Sequence, residues 1–178
     1  MANRETELRL RKFEREALAH LDALLRAAKG IARNSQDAED ITQETYLRAW
    51  KYFDSFDAGS NCRGWLFRIM FNVINGRRSK QMKLAEMPFE ESPEHQRDNV
   101  IAFDPLRRIE GREVIEAASQ LSEEHRSVLW LVIVEEFTYR EAAEALDVPI
   151  GTVMSRLHRA RIELRKLLAA NRASGLSG

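Results

Sequence analysis

TYREAAEALDVPIGTVMSRLHRARIELRKLL, Thr138 to Leu168, reads as two helices joined by a tight turn. Thr138 and Glu141 stand in the S/T-x-x-E relation of a capping box, in which each side chain satisfies a backbone donor at a helix start. The amphipathic run Ala142, Ala143, Ala145, Leu146 follows, and Asp147-Val148 breaks it. Pro149 has no backbone donor, so it ends one helix and suits the first turn of the next. On that second helix Val153, Leu157, Ala160, Leu164 and Leu167/Leu168 form one apolar stripe. Gly151, Ser155, His158, Arg159 and Ile162 fall on the opposite side, flanked by Arg156 and Arg161. An ordinary amphipathic helix with a solvated basic face has the same periodicity. A generic hairpin, however, does not need the capping box, the short turn and the acid-poor second helix together. The combination predicts a helix-turn-helix in which Thr152, Ser155, Arg156, His158 and Arg159 meet duplex DNA and Arg161 and Lys166 hold phosphates.

Composition neither helps nor opposes that reading until it is resolved along the chain. The 178 residues carry 28 basic and 28 acidic side chains, for a formal net charge of zero. Charge is nevertheless segregated. From Ala58 to Ala85 there is no acid, while Arg63, Arg68, Arg77, Arg78, Lys80 and Lys83 are present; from Thr152 onward Glu163 is the single acid. Two basic zones in a neutral chain suit a nucleic-acid binder. Cys62 stands alone and the four histidines are scattered, so neither a disulfide framework, a metal site nor another cofactor is expected. The densely charged N-terminus and the lack of a long apolar run predict a cytoplasmic protein without membrane insertion.

Sparse glycine and proline, without sustained strand-like alternation, predict an all-α fold. Spacing of apolar residues predicts one long helix from Leu10 to Ile31 and, after Asn34-Ser35, a second over 36–53 led by acids. A loop over 54–64 precedes a third helix over 65–79. Pro88, Pro93 and Pro105, set among acids, mark a flexible acidic linker over 86–105. Helices over 106–120 and from Ser122 to about 136 then lead into the helix-turn-helix. The chain therefore divides into two small helical domains, 1–85 and 106–172. Glu90, Glu91 and Glu94 of the linker are candidates for shielding the basic faces in the free protein.

Two further surfaces stand out. On the second helix Asp40, Gln43, Glu44 and Leu47 recur at helical spacing as a polar, partly acidic strip, and Trp50 beside it is either an interface anchor or a core side chain. The third helix is apolar around most of its circumference except for Arg68, Asn72 and Asn75. A polar stripe on so apolar a helix is costly unless it faces water or a ligand. With the loop Ser60, Asn61, Cys62, Arg63 before it and Arg77 and Arg78 behind it, the stripe suits a single DNA strand. Trp65, Phe67 and Phe71 are read as core. No nucleophile or paired acid–base cluster accompanies these groups, so catalysis is not expected.

PIGTVMSRLHRAR, Pro149 to Arg161, resembles the C-terminal DNA-binding region of the small extracytoplasmic-function (ECF) sigma factors of the sigma-70 family. DAEDITQETYLRAW, Asp37 to Trp50, resembles the segment by which sigma factors grip core RNA polymerase. The resemblance implies that 1–85 is a region 2-like domain and 106–172 a region 4-like domain. It further implies that Asp40, Gln43, Glu44, Leu47 and Trp50 bind core polymerase. Ser60 to Arg63, Arg68, Asn72, Asn75, Arg77 and Arg78 would bind and help melt the −10 element, with Asn72 facing a flipped base. The helix-turn-helix would read the −35 element, and an anti-sigma factor is expected as a partner. Met154 and His158 depart from the residues relatives often place there, so the −35 sequence is not carried over. The rival is a helix-turn-helix regulator that acts without core polymerase; it would require a dimer interface, and no amphipathic surface is left over for one.

Overall fold

The computed structural model describes residues 2–32, 34–57, 59–84 and 112–175, and every regular element among them is helical. The N-terminal unit comprises α1 (Ala2–Glu16), a 3-10 turn (Leu18–His20), α2 (Leu21–Ile31), α3 (Ser35–Tyr52) and α4 (Cys62–Leu84). The C-terminal unit comprises α5 (Arg112–Ser119), α6 (Glu123–Leu129), a π-helical turn (Trp130–Val134), α7 (Tyr139–Leu146) and α8 (Ile150–Gly175). The expected acidic linker, 86–105, and the start of the helix expected from 106 lie outside the described residues.

Helix starts follow the capping chemistry. Asn34 caps α3 by accepting the Asp37 N–H at 2.8 Å, and Ser122 caps α6 by accepting from the His125 N–H. At α7 the capping box is complete: Thr138 Oγ1 accepts the Glu141 N–H, and the Glu141 carboxylate accepts the Thr138 N–H at 2.9 Å. Asp147 then adopts a left-handed conformation (φ 55°, ψ 46°), which turns the chain into α8. Pro149 sits at the boundary, its carbonyl accepting from Thr152 and Val153.

Two boundaries differ from expectation. The single helix expected over 10–31 is broken at Ala17, where a 3-10 turn separates α1 from α2. The Tyr46 hydroxyl, from α3, donates to the Ala17 carbonyl at 3.0 Å. So short a turn barely disturbs three-four spacing, so periodicity does not register it. Helix α4 begins at Cys62 rather than Trp65, because Asn61 caps it: Asn61 Oδ1 accepts the Gly64 N–H at 3.0 Å. Cys62 and Arg63, expected in a loop, thus lie in the first helical turn.

Leu24, Ile31, Leu66, Phe67 and Met70 fill the N-terminal core, and Leu129, Leu131, Val153, Leu157 and Leu164 the C-terminal one. Trp65 is half-buried over Phe56, with ring centroids 4.9 Å apart, and Phe71 is buried, which places all three α4 aromatics in the core. The two units also pack on one another, α4 along α7 and α2 against α6 and the π turn. Phe67 meets Phe137 at 5.0 Å, and Trp130 lies flat against Gly30. A Cβ at Gly30 would stand 2.4 Å from the Trp130 ring, so only glycine permits this approach.

Candidate nucleic-acid interface

Helix α4 presents Arg68, Asn72 and Asn75 to solvent along one line, while its other faces are buried. Ser60 is exposed, and its hydroxyl donates to the Asp57 carbonyl at 2.8 Å, which shapes the loop ahead of the helix. Asn61 caps α4 through its oxygen and donates through its amide nitrogen to Glu141 at 3.2 Å. Arg63 is half-buried: its guanidinium lies 4.7 Å over the Phe137 ring and donates to the carboxylate of Glu135 at 2.7 Å. Arg77 is tied to Glu44 at 3.0 Å, whereas Arg78 is exposed and pairs with Glu124 at 3.3 Å. Burial and the nearby Glu16 push the Cys62 thiol up to about 11, which leaves it protonated and poorly reactive.

On α3, Gln43 and Leu47 are exposed, Leu47 at 65 %. Asp40 accepts from Gln36 at 3.3 Å. Partial burial alone would raise the Glu44 pKa, but Arg77 and Arg48 outweigh it and hold the carboxyl below its usual range. Trp50 is engaged internally, its ring 4.2 Å under the Arg9 guanidinium and 5.2 Å from Phe13. That geometry accounts for Trp50 as a core anchor of α1 on α3.

On α8 the apolar stripe of Val153, Leu157, Ala160 and Leu164 is buried. His158, Arg159 and Lys166 are exposed, and among the described residues the side chains of His158 and Arg159 have no partner. Thr152 and Ser155 are half-buried, and the Ser155 hydroxyl donates to the Thr152 carbonyl at 3.1 Å. Arg161 is half-buried beside the stripe. Arg156 leans back onto Glu124 at 3.0 Å. Glu163, the lone acid of the helix, pairs with His125 at 2.9 Å and braces α8 on α6.

Sequence reasoning missed the acids that face the basic stripe. Glu135 is 2 % exposed and takes Arg26 at 3.0 Å as well as Arg63. Its one local sign is an acid directly after the apolar run WLVIV, Trp130 to Val134. The Glu141 carboxyl is held below its usual range by the Thr138 N–H and hydroxyl, against partial burial, with help from Arg63.

These features define a two-part all-α protein with a helix-turn-helix in one unit and an exposed asparagine–arginine stripe in the other. Residues 17–83 match the model of Sigma-70 region 2, and residues 111–164 that of Sigma-70, region 4. The ECF RNA polymerase sigma factor SigW of Bacillus subtilis is 31% identical over 173 residues, covering 89% of this chain and 92% of SigW. The ECF sigma factor SigE of Mycolicibacterium smegmatis is 33% identical over 159 residues, covering 84% of this chain but 59% of SigE's own length. Among solved structures, the sigma factor RpoE of Bartonella quintana, crystallised with the anti-sigma factor NepR, superposes with a TM-score of 0.69 at 31% identity. That match covers 89% of this chain and 97% of the other. The chain belongs to the ECF RNA polymerase sigma factors of the sigma-70 family.

Proposed function

We propose that this chain directs core RNA polymerase to promoters and starts transcription there. The N-terminal unit docks on core through the α3 strip, principally Gln43, Glu44 and Leu47 with Asp40, while Trp50 holds the strip in place from behind. The α4 stripe then takes the −10 strand. Asn72 hydrogen-bonds a flipped base, Arg68 and Asn75 line its path, and Arg63, Arg77 and Arg78 supply phosphate contacts. Flipping costs a few kcal/mol of unstacking, which the pocket returns through hydrogen bonds and stacking. Helix α8 enters the major groove at the −35 element with Ser155, His158 and Arg159 outward.

The observation that carries this reading is that the Arg68–Asn72–Asn75 line is solvent-facing on the otherwise largely buried α4 and that His158 and Arg159 are exposed on α8 opposite its buried stripe, within units that match regions 2 and 4 in order. RpoE was solved with an anti-sigma factor, which supports a similar regulator for this chain. Reconstitution with core polymerase and run-off transcription from pooled genomic promoter fragments tests the proposal. Specific transcripts that depend on the added chain support it. A chain that binds duplex DNA but does not co-elute with core would refute it.

A further inference from the structure

We propose that Met154 reads the methyl group of a thymine in the −35 element, which makes thymine at that position part of what this sigma factor recognises. The inference deepens the promoter-reading assignment and rests on it. Met154 lies in the second turn of α8 and is 41% exposed, although Val153 beside it is buried. Four residues separate it from His158, so the two side chains stand one above the other, about 40° apart around the helix axis. Ser155 follows it directly, and Arg159 continues the outward face. In a helix-turn-helix the N-terminal part of the second helix is what reaches base edges. A single exposed methionine on an ordinary surface carries no meaning. Here it stands among the groups that face the bases, and its chemistry narrows what it can meet.

A thioether has no hydrogen-bond donor and is only a weak acceptor. It therefore cannot take part in the donor–acceptor code of the major groove, where the one apolar group that base pairs display is the thymine C5 methyl. An unbranched side chain with three rotatable bonds settles onto such a methyl without needing a fixed shape. Two other apolar residues of α8 are exposed, and both are placed less well. Ile150, at the helix start, lines a groove at the turn with Arg140, Glu144 and Asp147, a net-acidic rim unsuited to a phosphate backbone. Ile162 is about 12 Å farther along the axis than Met154, about the full width of the major groove. Charge around Met154 is permissive by contrast. Glu163, the lone acid of α8, stands about 180° around the helix from it and is turned onto His125 at 2.9 Å.

The test uses the full chain reconstituted with core polymerase and the promoter duplexes that run-off transcription selects. Each thymine of the −35 element, on either strand, is replaced in turn by deoxyuridine, which removes the methyl and keeps the base-pair hydrogen bonds. Equilibrium binding is measured for the parent, for Met154→Ala and for Met154→Leu. With the parent, one replacement should weaken binding about fourfold, the value of one buried methyl. Met154→Ala should bind the thymine duplex about fourfold more weakly and lose the distinction between thymine and deoxyuridine at that position. Met154→Leu, still apolar and long enough to reach, should restore it. The double-mutant cycle between side chain and methyl separates a contact from a general weakening. A parent indifferent to every replacement overturns the proposal, and so does a thymine penalty that persists in full in Met154→Ala. If transcription still depends on the added chain in either case, the sigma-factor reading stands and the thymine contact alone falls.

Discussion

Asn61 offers the sharpest test of how local structure supports promoter reading. Replacing it by alanine removes the oxygen that accepts the Gly64 N–H at 3.0 Å and the amide that donates to Glu141 at 3.2 Å. Loss of a helix N-cap costs about 1 kcal/mol. The Glu141 bond is solvent-exposed and adds little. For a chain of this size that loss lowers Tm by about 2–4 °C. Asn61→Ser restores a capping oxygen of equal rank but not the amide, so it should regain most of the lost Tm. Thermal unfolding followed by circular dichroism gives the comparison. An alanine variant as stable as the parent, or a serine variant as unstable as the alanine one, would refute the capping role. Transcription separates cap from contact. If fraying of the turn that carries Cys62 and Arg63 is what matters, Asn61→Ser transcribes like the parent and Asn61→Ala does not. Equal losses would mean that the amide itself touches the strand.

Three other outcomes are expected. Asn72→Ala should reduce open-complex formation, read by permanganate reactivity at the −10 element, while leaving co-elution with core unchanged, since the side chain is exposed and is not part of the α3 strip. Arg159→Ala should weaken binding to −35 duplex by about 1–3 kcal/mol and relax sequence preference if the guanidinium reads a base; an equal loss on scrambled duplex would reduce it to a phosphate contact. The α7 cap should be acid-sensitive. The Glu141 carboxyl lies below its ordinary 4.5 in the folded chain. Its contribution is therefore present above that value and is lost as pH falls through the lowered folded pKa. Glu141→Gln should be less stable than the parent near neutrality, and the two denaturation midpoints should converge on acidification below 4.5; a constant gap would show that the carboxylate does not contribute to the cap.

Much of the fold and of the candidate DNA-facing surface was legible because it rests on local chemistry. The Thr138–Glu141 box, the Val153 to Leu164 stripe and the polar line Arg68, Asn72, Asn75 each arise from spacings of three or four residues, which one helix converts directly into one face. Asn61 as the cap of α4 was not read: the helix was expected from Trp65, although asparagine ahead of an apolar run is a cap signal. The break at Ala17 was not legible either. It involves a hydroxyl from α3 reaching the Ala17 carbonyl between α1 and the 3-10 turn, and it hardly alters the apolar rhythm.

By itself, the sequence determined the all-α class, the capping box at Thr138, the core-facing stripes and the presence of two helical units in one chain. Only tertiary structure decided what those units do to one another. Arg26 and Arg63 meet Glu135 across 109 and 72 residues, and Gly30 admits the Trp130 ring from the other unit. Such pairs carry no periodicity, because the groups share neither a helix nor a turn. A glutamate after an apolar run reads as a solvated end; bound by two arginines, one of them stacked on Phe137, Glu135 becomes the buried centre of the contact between the two units.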